Sequence, residues 1–139
     1  TLFRSSAASD VYKRQLPSLF QAGVGSIVYS PLAQGLLSNR YRNAIPKGSR
    51  AERKDSPFLS HHEVETHQSI IHNLTTLSEK RGQTLAQLAL AWCLRLESVT
   101  SVLIGVSTTE QIKENLKACD HTDFTEDELD EISRICQKD

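Results

Sequence analysis

The 139-residue sequence has no methionine, few cysteines, no long apolar run and no surplus of positive charge. Each absence excludes something. Without an apolar stretch near the ~18 residues that cross a bilayer, no membrane span is expected. Sixteen basic against seventeen acidic residues leave a formal charge of −1, which argues against a protein that grips a nucleic-acid backbone. The three cysteines, Cys93, Cys119 and Cys136, are odd in number and lie at no CxxC or disulfide-framework spacing, which suits a reducing cytoplasm. No signal peptide is expected either, because Arg4, Asp10, Lys13 and Arg14 interrupt the first fifteen residues. A start at Thr1 with no methionine anywhere leads to the expectation that the chain is a fragment of a longer product. What is present is the composition of one ordinary globular domain: 38% hydrophobic and 24% charged residues favour neither disorder nor membrane insertion.

Residues 1–15 (TLFRSSAASDVYKRQ) carry no helical or strand period and read as a leader foreign to the rest of the chain. From residue 16 to residue 139 the pattern is that of one partial domain. Leu16, Leu19 and Phe20 share a helical face that Gly23 ends. Ser26 to Ser30 is a short β-prone run stopped by Pro31, and Leu32 to Asp55 is a long polar connection of the kind that is usually functional or mobile. Glu63 to Arg81 predicts one amphipathic helix with Val64, Ile71, Leu74 and Leu77 inward, closed by Gly82. Thr84 to Gln87 is a capping box opening a helix with Leu85, Leu88, Ala89 and Trp92 inward. Val99 to Ile104 predicts a buried strand, and helices capped at 107–110 and 125–128 come after it, the last with Leu129, Ile132 and Ile135 inward. Strands alternating with helices imply an α/β fold with parallel strands, and two strands alone make an incomplete layer.

Two stretches could carry chemistry. In VLIGVSTTEQ (Val102 to Gln111) a strand runs through Gly105 into a capped helix start, where free N–H groups and the helix dipole favour an anion such as phosphate. Ser107 and Thr108 can add hydroxyls there, although the same residues would serve simply to cap a helix. In YSPLAQGLL (Tyr29 to Leu37) an aromatic residue at a strand's carboxyl end precedes a rigid loop, which suits a stacked planar ring or an ordinary turn. Arg40, Arg50 and Arg53 come next, with guanidinium groups able to fork onto phosphate or to stay solvated.

Taken in order, GVGSIVYSPLAQGLL (Gly23 to Leu37), IPKGSR (Ile45 to Arg50), the TLAQLALAW helix and SVLIGVSTTEQIKENL (Ser101 to Leu116) resemble the carboxyl-terminal part of the aldo-keto reductase family from about Leu16 to Lys138. The branch holding bacterial glyceraldehyde-3-phosphate reductases and potassium-channel β-subunits is the most similar. The resemblance implies strands seven and eight, with flanking helices, of a (β/α)8 TIM barrel, which needs about 250 residues when complete. It implies NADPH as cofactor, with Tyr29 stacked on the nicotinamide and Ser30, Pro31, Leu32 and Gln34 lining the pyrophosphate and ribose. Arg40 would serve the same phosphates and Arg50 the 2′-phosphate. Gly105, Ser107, Gln111, Glu114 and Asn115 would hold the adenine end, and Thr108 stands where related reductases often carry arginine. The family's Asp, Tyr, Lys and His tetrad is expected upstream, so no catalytic residue is assigned; Tyr12 and Lys13 lie in the foreign leader. The implied parent is a cytoplasmic reductase of aldehydes or ketones, inactive when reduced to this part, with a homo-oligomer left open. The alternative is a non-catalytic, cofactor-sensing protein like the channel β-subunits, which shares every motif here.

Three other readings are set aside. His62, His67 and His72 advance by five residues, about 140° of helical turn beyond a full revolution, and share no face for a metal. Cys93, between Trp92 and Leu94, suits packing better than nucleophilic attack. A helix-turn-helix over Glu63 to Leu96 would present almost no base-reading side chains from LAQLALAWCL.

Overall fold

The computed structural model describes residues 15–42, 45–47, 49–52 and 59–137. Residues 1–14, most of the segment read above as a leader, and Arg53 lie outside the described residues, as does the side chain of Arg50. The described chain forms helix α1 (15–21), strand β1 (Ile27–Tyr29), helices α2 (His61–Thr66), α3 (Gln68–Lys80) and α4 (Leu85–Leu94), strand β2 (Ser101–Leu103), and helices α5 (Thr109–Leu116) and α6 (Glu126–Cys136). β1 and β2 pair in parallel, with Ile27 opposite Ser101, Val28 opposite Val102 and Tyr29 opposite Leu103. The expected α/β order with parallel strands is therefore present.

The helices begin and end where local chemistry dictates. α1 and α3 both close through a left-handed glycine: Gly23 and Gly82 have φ of 71° and 66°, which only glycine adopts at little cost. Beyond Gly82, the Gln83 N–H reaches the Ser78 carbonyl at 2.9 Å, so a carbonyl left over at the helix end gains a donor. Thr84 and Thr125 form complete capping boxes with Gln87 and Glu128. The single helix predicted over Glu63 to Arg81 is two. Ser60 and Glu63 form a further capping box, which moves the start back to His61. His67, at φ −93° and ψ 9°, then leaves helical geometry and separates α2 from α3.

The predicted inward residues of α3 hold. Ile71 and Leu74 are fully buried, and Leu77 joins them in a core with Val64, Leu85, Leu88 and Ile132. The connection after β1 contributes Leu36, Leu37, Tyr41 and Ala51 to the same core. It is not structureless: three 3-10 turns lie at Ala33–Gly35, Asn39–Tyr41 and Arg50–Glu52.

The expectation of a buried strand at Val99 to Ile104 is corrected. Pairing is confined to Ser101–Leu103, and Leu103 is 64% exposed, as are Ile27 at 69% and Tyr29 at 72%. The reason is the size of the layer. The middle residues Val28 and Val102 are half-buried, and α4 packs on β2. Ile27, Tyr29, Ser101 and Leu103 occupy the other pleat face, which is exposed. Gly25 sits close beside this sheet: a Cβ there would stand 2.8 Å from Thr100 Oγ1, the oxygen that accepts from the Ser26 N–H, and would force that side chain to shift.

Candidate functional site

Parallel pairing decides the geometry of the site. With Tyr29 opposite Leu103, both strands end at the same edge of the sheet, and the segments that leave them start side by side. One is Ser30 to Leu37; the other is Ile104 to Thr109 at the start of α5. Neither pleating nor helix periodicity could place these stretches together. The register does.

The loop after β1 is held in a sparsely populated conformation. Ser30, Ala33 and Gln34 have φ of 52°, 47° and 60°, and Gly35 has 99°. Non-glycine residues pay roughly 1–3 kcal/mol each for such angles, and strain of this kind collects at ligand sites. Three features keep it folded. Successive turn bonds run from Ala33 N–H to the Ser30 carbonyl at 3.1 Å and from Leu37 N–H to the Leu32 carbonyl at 3.1 Å. Gln34 Nε2 donates to Ser30 Oγ at 3.4 Å. Leu36 and Leu37 then sink into the core. Pro31 is buried, Ser30, Leu32 and Gln34 are half-buried, and Tyr29 projects from the exposed sheet face. Arg40 is exposed on the next turn, which the buried ring of Tyr41 fastens to the core.

The second wall is the start of α5. Thr108 is the N-cap, its hydroxyl accepting from the Gln111 N–H at 3.3 Å. The Gln111 carboxamide oxygen in turn accepts from the Ser107 N–H at 2.8 Å. Gly105, Ser107, Thr108 and Gln111 are all exposed, so a ligand can reach this backbone. Asn115 lies one turn further on and is half-buried. Glu114 is differently placed: Gln87 Nε2 donates to its carboxylate at 2.9 Å and Lys117 Nζ approaches the other oxygen at 2.9 Å. That contact to Gln87 had no sequence signal, because the capping-box reading accounts for Gln87 without it.

Other candidates stand apart from this edge. Burial pushes the Cys93 thiol up, away from the thiolate form a nucleophile needs. A shallow cleft of about 200 Å3, lined by Phe20, Gly23, Val24, Gly25, Glu97 and Thr100, lies at the opposite, amino-terminal ends of the strands. No helix among the described residues is long and apolar enough to cross a membrane.

A parallel α/β layer whose strand ends converge on a strained loop and a helix start defines the class: an α/β protein of the kind in which ligands commonly bind outside the carboxyl ends of the strands. The chain belongs to the aldo/keto reductase family, whose model matches residues 4–137. It is 39% identical over 122 residues to the L-glyceraldehyde 3-phosphate reductase of Escherichia coli O157:H7, covering 86% of this chain and 35% of that protein. The protein of that name from Escherichia coli strain K12 matches with the same identity and coverage. Among solved structures, the holo form of aldo-keto reductase AKR11C1 from Bacillus halodurans superimposes with a TM-score of 0.60 at 27% identity, over 91% of this chain and 38% of that one. The chain thus spans about 35% of the length of the curated relatives it matches. The family is that of a TIM barrel, and the described residues form part of an α/β layer with a small parallel sheet.

Proposed function

We propose that this chain is the carboxyl-terminal part of a cytoplasmic, NADPH-dependent aldo-keto reductase, with β1 and β2 as strands seven and eight of the barrel and the tetrad upstream. The observation that carries the reading is the parallel register, which sets the Tyr29–Gln34 segment beside the Gly105–Gln111 segment at the carboxyl ends of the strands. In barrel enzymes that face holds the active site, often with a phosphate site after the last two strands and at a helix N-terminus.

The donor set suits a phosphorylated dinucleotide. The exposed Tyr29 ring offers a stacking surface, and the Ser30 and Ser107 hydroxyls can donate to phosphate or ribose. The α5 start adds main-chain N–H groups and the positive end of its dipole. Arg40, and Arg50 by the family resemblance, add guanidinium groups for charge-assisted contacts. NADPH, when bound, supplies the hydride for a carbonyl carbon; these residues bind and orient it.

The test is made on the full-length protein. Titration is expected to show NADPH binding more tightly than NADH, and an aldehyde is expected to be reduced. L-glyceraldehyde 3-phosphate is the first substrate to assay, given the name of the Escherichia coli relatives. Tight NADPH binding with no turnover of any carbonyl compound would favour the cofactor-sensing alternative. Failure to bind either nucleotide would sink the reading.

A further inference from the structure

Arg42 is gripped at two points by one helix. Its main-chain carbonyl accepts from Gln68 Nε2 at 2.9 Å, and its guanidinium pairs with Glu79 Oε1 at 2.7 Å. Gln68 opens α3 and Glu79 lies in its last turn, so the two stand about 16 Å apart along the axis. Eleven residues at about 100° each end roughly 20° past three full revolutions, which puts both side chains on one face of the helix. Arg42 bridges the two ends of that face and ties down the carboxyl end of the turn at Asn39–Tyr41. The other end of the turn is fixed as well. Ser38 donates to the Gly35 carbonyl of the strained loop through its N–H at 3.1 Å and its hydroxyl at 2.6 Å. Successive side chains of a 3-10 turn stand about 120° apart, so burying the Tyr41 ring turns Arg40 outward. Arg40 is exposed and has no carboxylate partner among the described residues.

We infer that Arg42 is a positioning residue for the cofactor site: clamped along α3, it holds the Asn39–Tyr41 turn so that Arg40 meets the dinucleotide phosphates. Two arginines two residues apart thus divide the work, one spent on the protein and one kept for the ligand. An arginine that grips phosphate loses rotamer freedom, and a turn free to swing would lose its own freedom in the same event. Fixing the turn beforehand removes that second cost. The Arg42–Glu79 pair is about half exposed on both sides, so its worth is modest and falls as salt rises. The inference rests on the reading of the loop after β1 as part of the cofactor site.

The experiment uses the full-length protein and compares wild type, Arg42→Glu, Glu79→Arg and the charge-swapped double variant, each with Arg40 intact and with Arg40→Ala. NADPH dissociation constants are measured at low salt. Each single reversal is expected to weaken NADPH about three- to fivefold, at the upper end of what an exposed pair is worth. The swapped pair should bind within about twofold of wild type, because the clamp is restored with its charges exchanged. With Arg40→Ala, neither reversal should weaken binding further. Glu79→Arg is the sharpest arm, since it adds positive charge to the surface: tighter NADPH binding there would overturn the inference in favour of a simple field effect. A swapped variant as weak as Arg42→Glu would overturn it too, and make Arg42 a direct phosphate contact. Equal losses with and without the Arg40 guanidinium would show that Arg42 does not act through Arg40. Should a reversal not fold, Gln68→Met removes only the bond to the Arg42 carbonyl and supports the same comparison against Arg40→Ala. A wild-type protein that binds no NADPH would overturn the cofactor reading itself, and this inference with it.

Discussion

Tyr29 and Leu103 are register partners at the carboxyl ends of β1 and β2, with side chains on one sheet face that are 72% and 64% exposed. A ring so exposed contributes little packing, so Tyr29→Ala is expected to change folding stability by no more than about 0.5 kcal/mol. The same variant of the full-length protein should weaken NADPH about five- to tenfold, the worth of a lost ring stack. Tyr29→Phe should bind nearly as wild type. Urea titration and cofactor fluorescence separate the two effects, and equal loss in Ala and Phe variants would implicate the hydroxyl instead.

Arg50 tests cofactor choice. Arg50→Ala is expected to weaken NADPH by about ten- to a hundredfold, since charge-assisted contacts are worth roughly 1.5–3 kcal/mol. NADH, lacking the 2′-phosphate, should be almost unaffected. Parallel dissociation constants decide it, and equal loss for both nucleotides would place Arg50 elsewhere.

Thr108 caps α5, its hydroxyl accepting from the Gln111 N–H, and a substitution there tests the proposed phosphate contact and the cap together. Thr108→Arg is expected to tighten NADPH at low salt through a forked contact, with a gain that fades as salt rises. Loss of the cap should lower stability by about 1 kcal/mol. A melt and a salt series of titrations together check both, and an unchanged NADPH constant would mean position 108 faces away from phosphate.

The Arg81 guanidinium binds the Glu128 carboxylate, the carbonyl of Asp123 at 2.8 Å and the face of Phe124 at 4.0 Å. Burial opposes ionisation of Glu128, but the Thr125 N–H and then Arg81 outweigh it and hold its carboxyl below the ordinary value. A pKa lowered on folding adds stability above the unfolded value, about 4.3, that is lost as pH falls through the folded one. Wild type should therefore lose stability below about pH 4.3, and Glu128→Gln should flatten that limb. Arg81→Met should cost about 1.5–3 kcal/mol, since the Asp123 carbonyl and the partly exposed Glu128 carboxylate lose a charged donor. Denaturation as a function of pH reads both; an acid limb unchanged in Glu128→Gln would remove Glu128 from the account.

Elements with strong local signals were legible in the sequence. The caps at Thr84, Thr108 and Thr125, the glycine stops and the apolar stripe of α3 needed only neighbouring residues to be read. The break at His67 was not, because the periodicity of Val64, Ile71 and Leu74 runs straight across it. Exposure of Leu103 was illegible for another reason: an apolar run announces affinity for a core but not whether the layer that would cover it is there. The same limit hid the Arg81 and Gln87 networks, whose partners lie 47 and 27 residues away. At the site, the motifs identified the segments and the family resemblance implied that they are neighbours, whereas the residue-by-residue register came from the paired strands.

That register has a kinetic side. Ser26, just before β1, bonds Thr100, just before β2, across 74 residues of sequence. Closing so long a loop must be achieved before the sheet contacts return anything. The α3–α4 pair, joined by four residues and rich in core leucines, needs no such closure and can assemble early. On that order of events, the strand ends, with Tyr29 on one side and Gly105 on the other, would come together after the helical layer. Competence to bind a ligand there would be the last property the chain acquires on folding, and the first it gives up when the strands part.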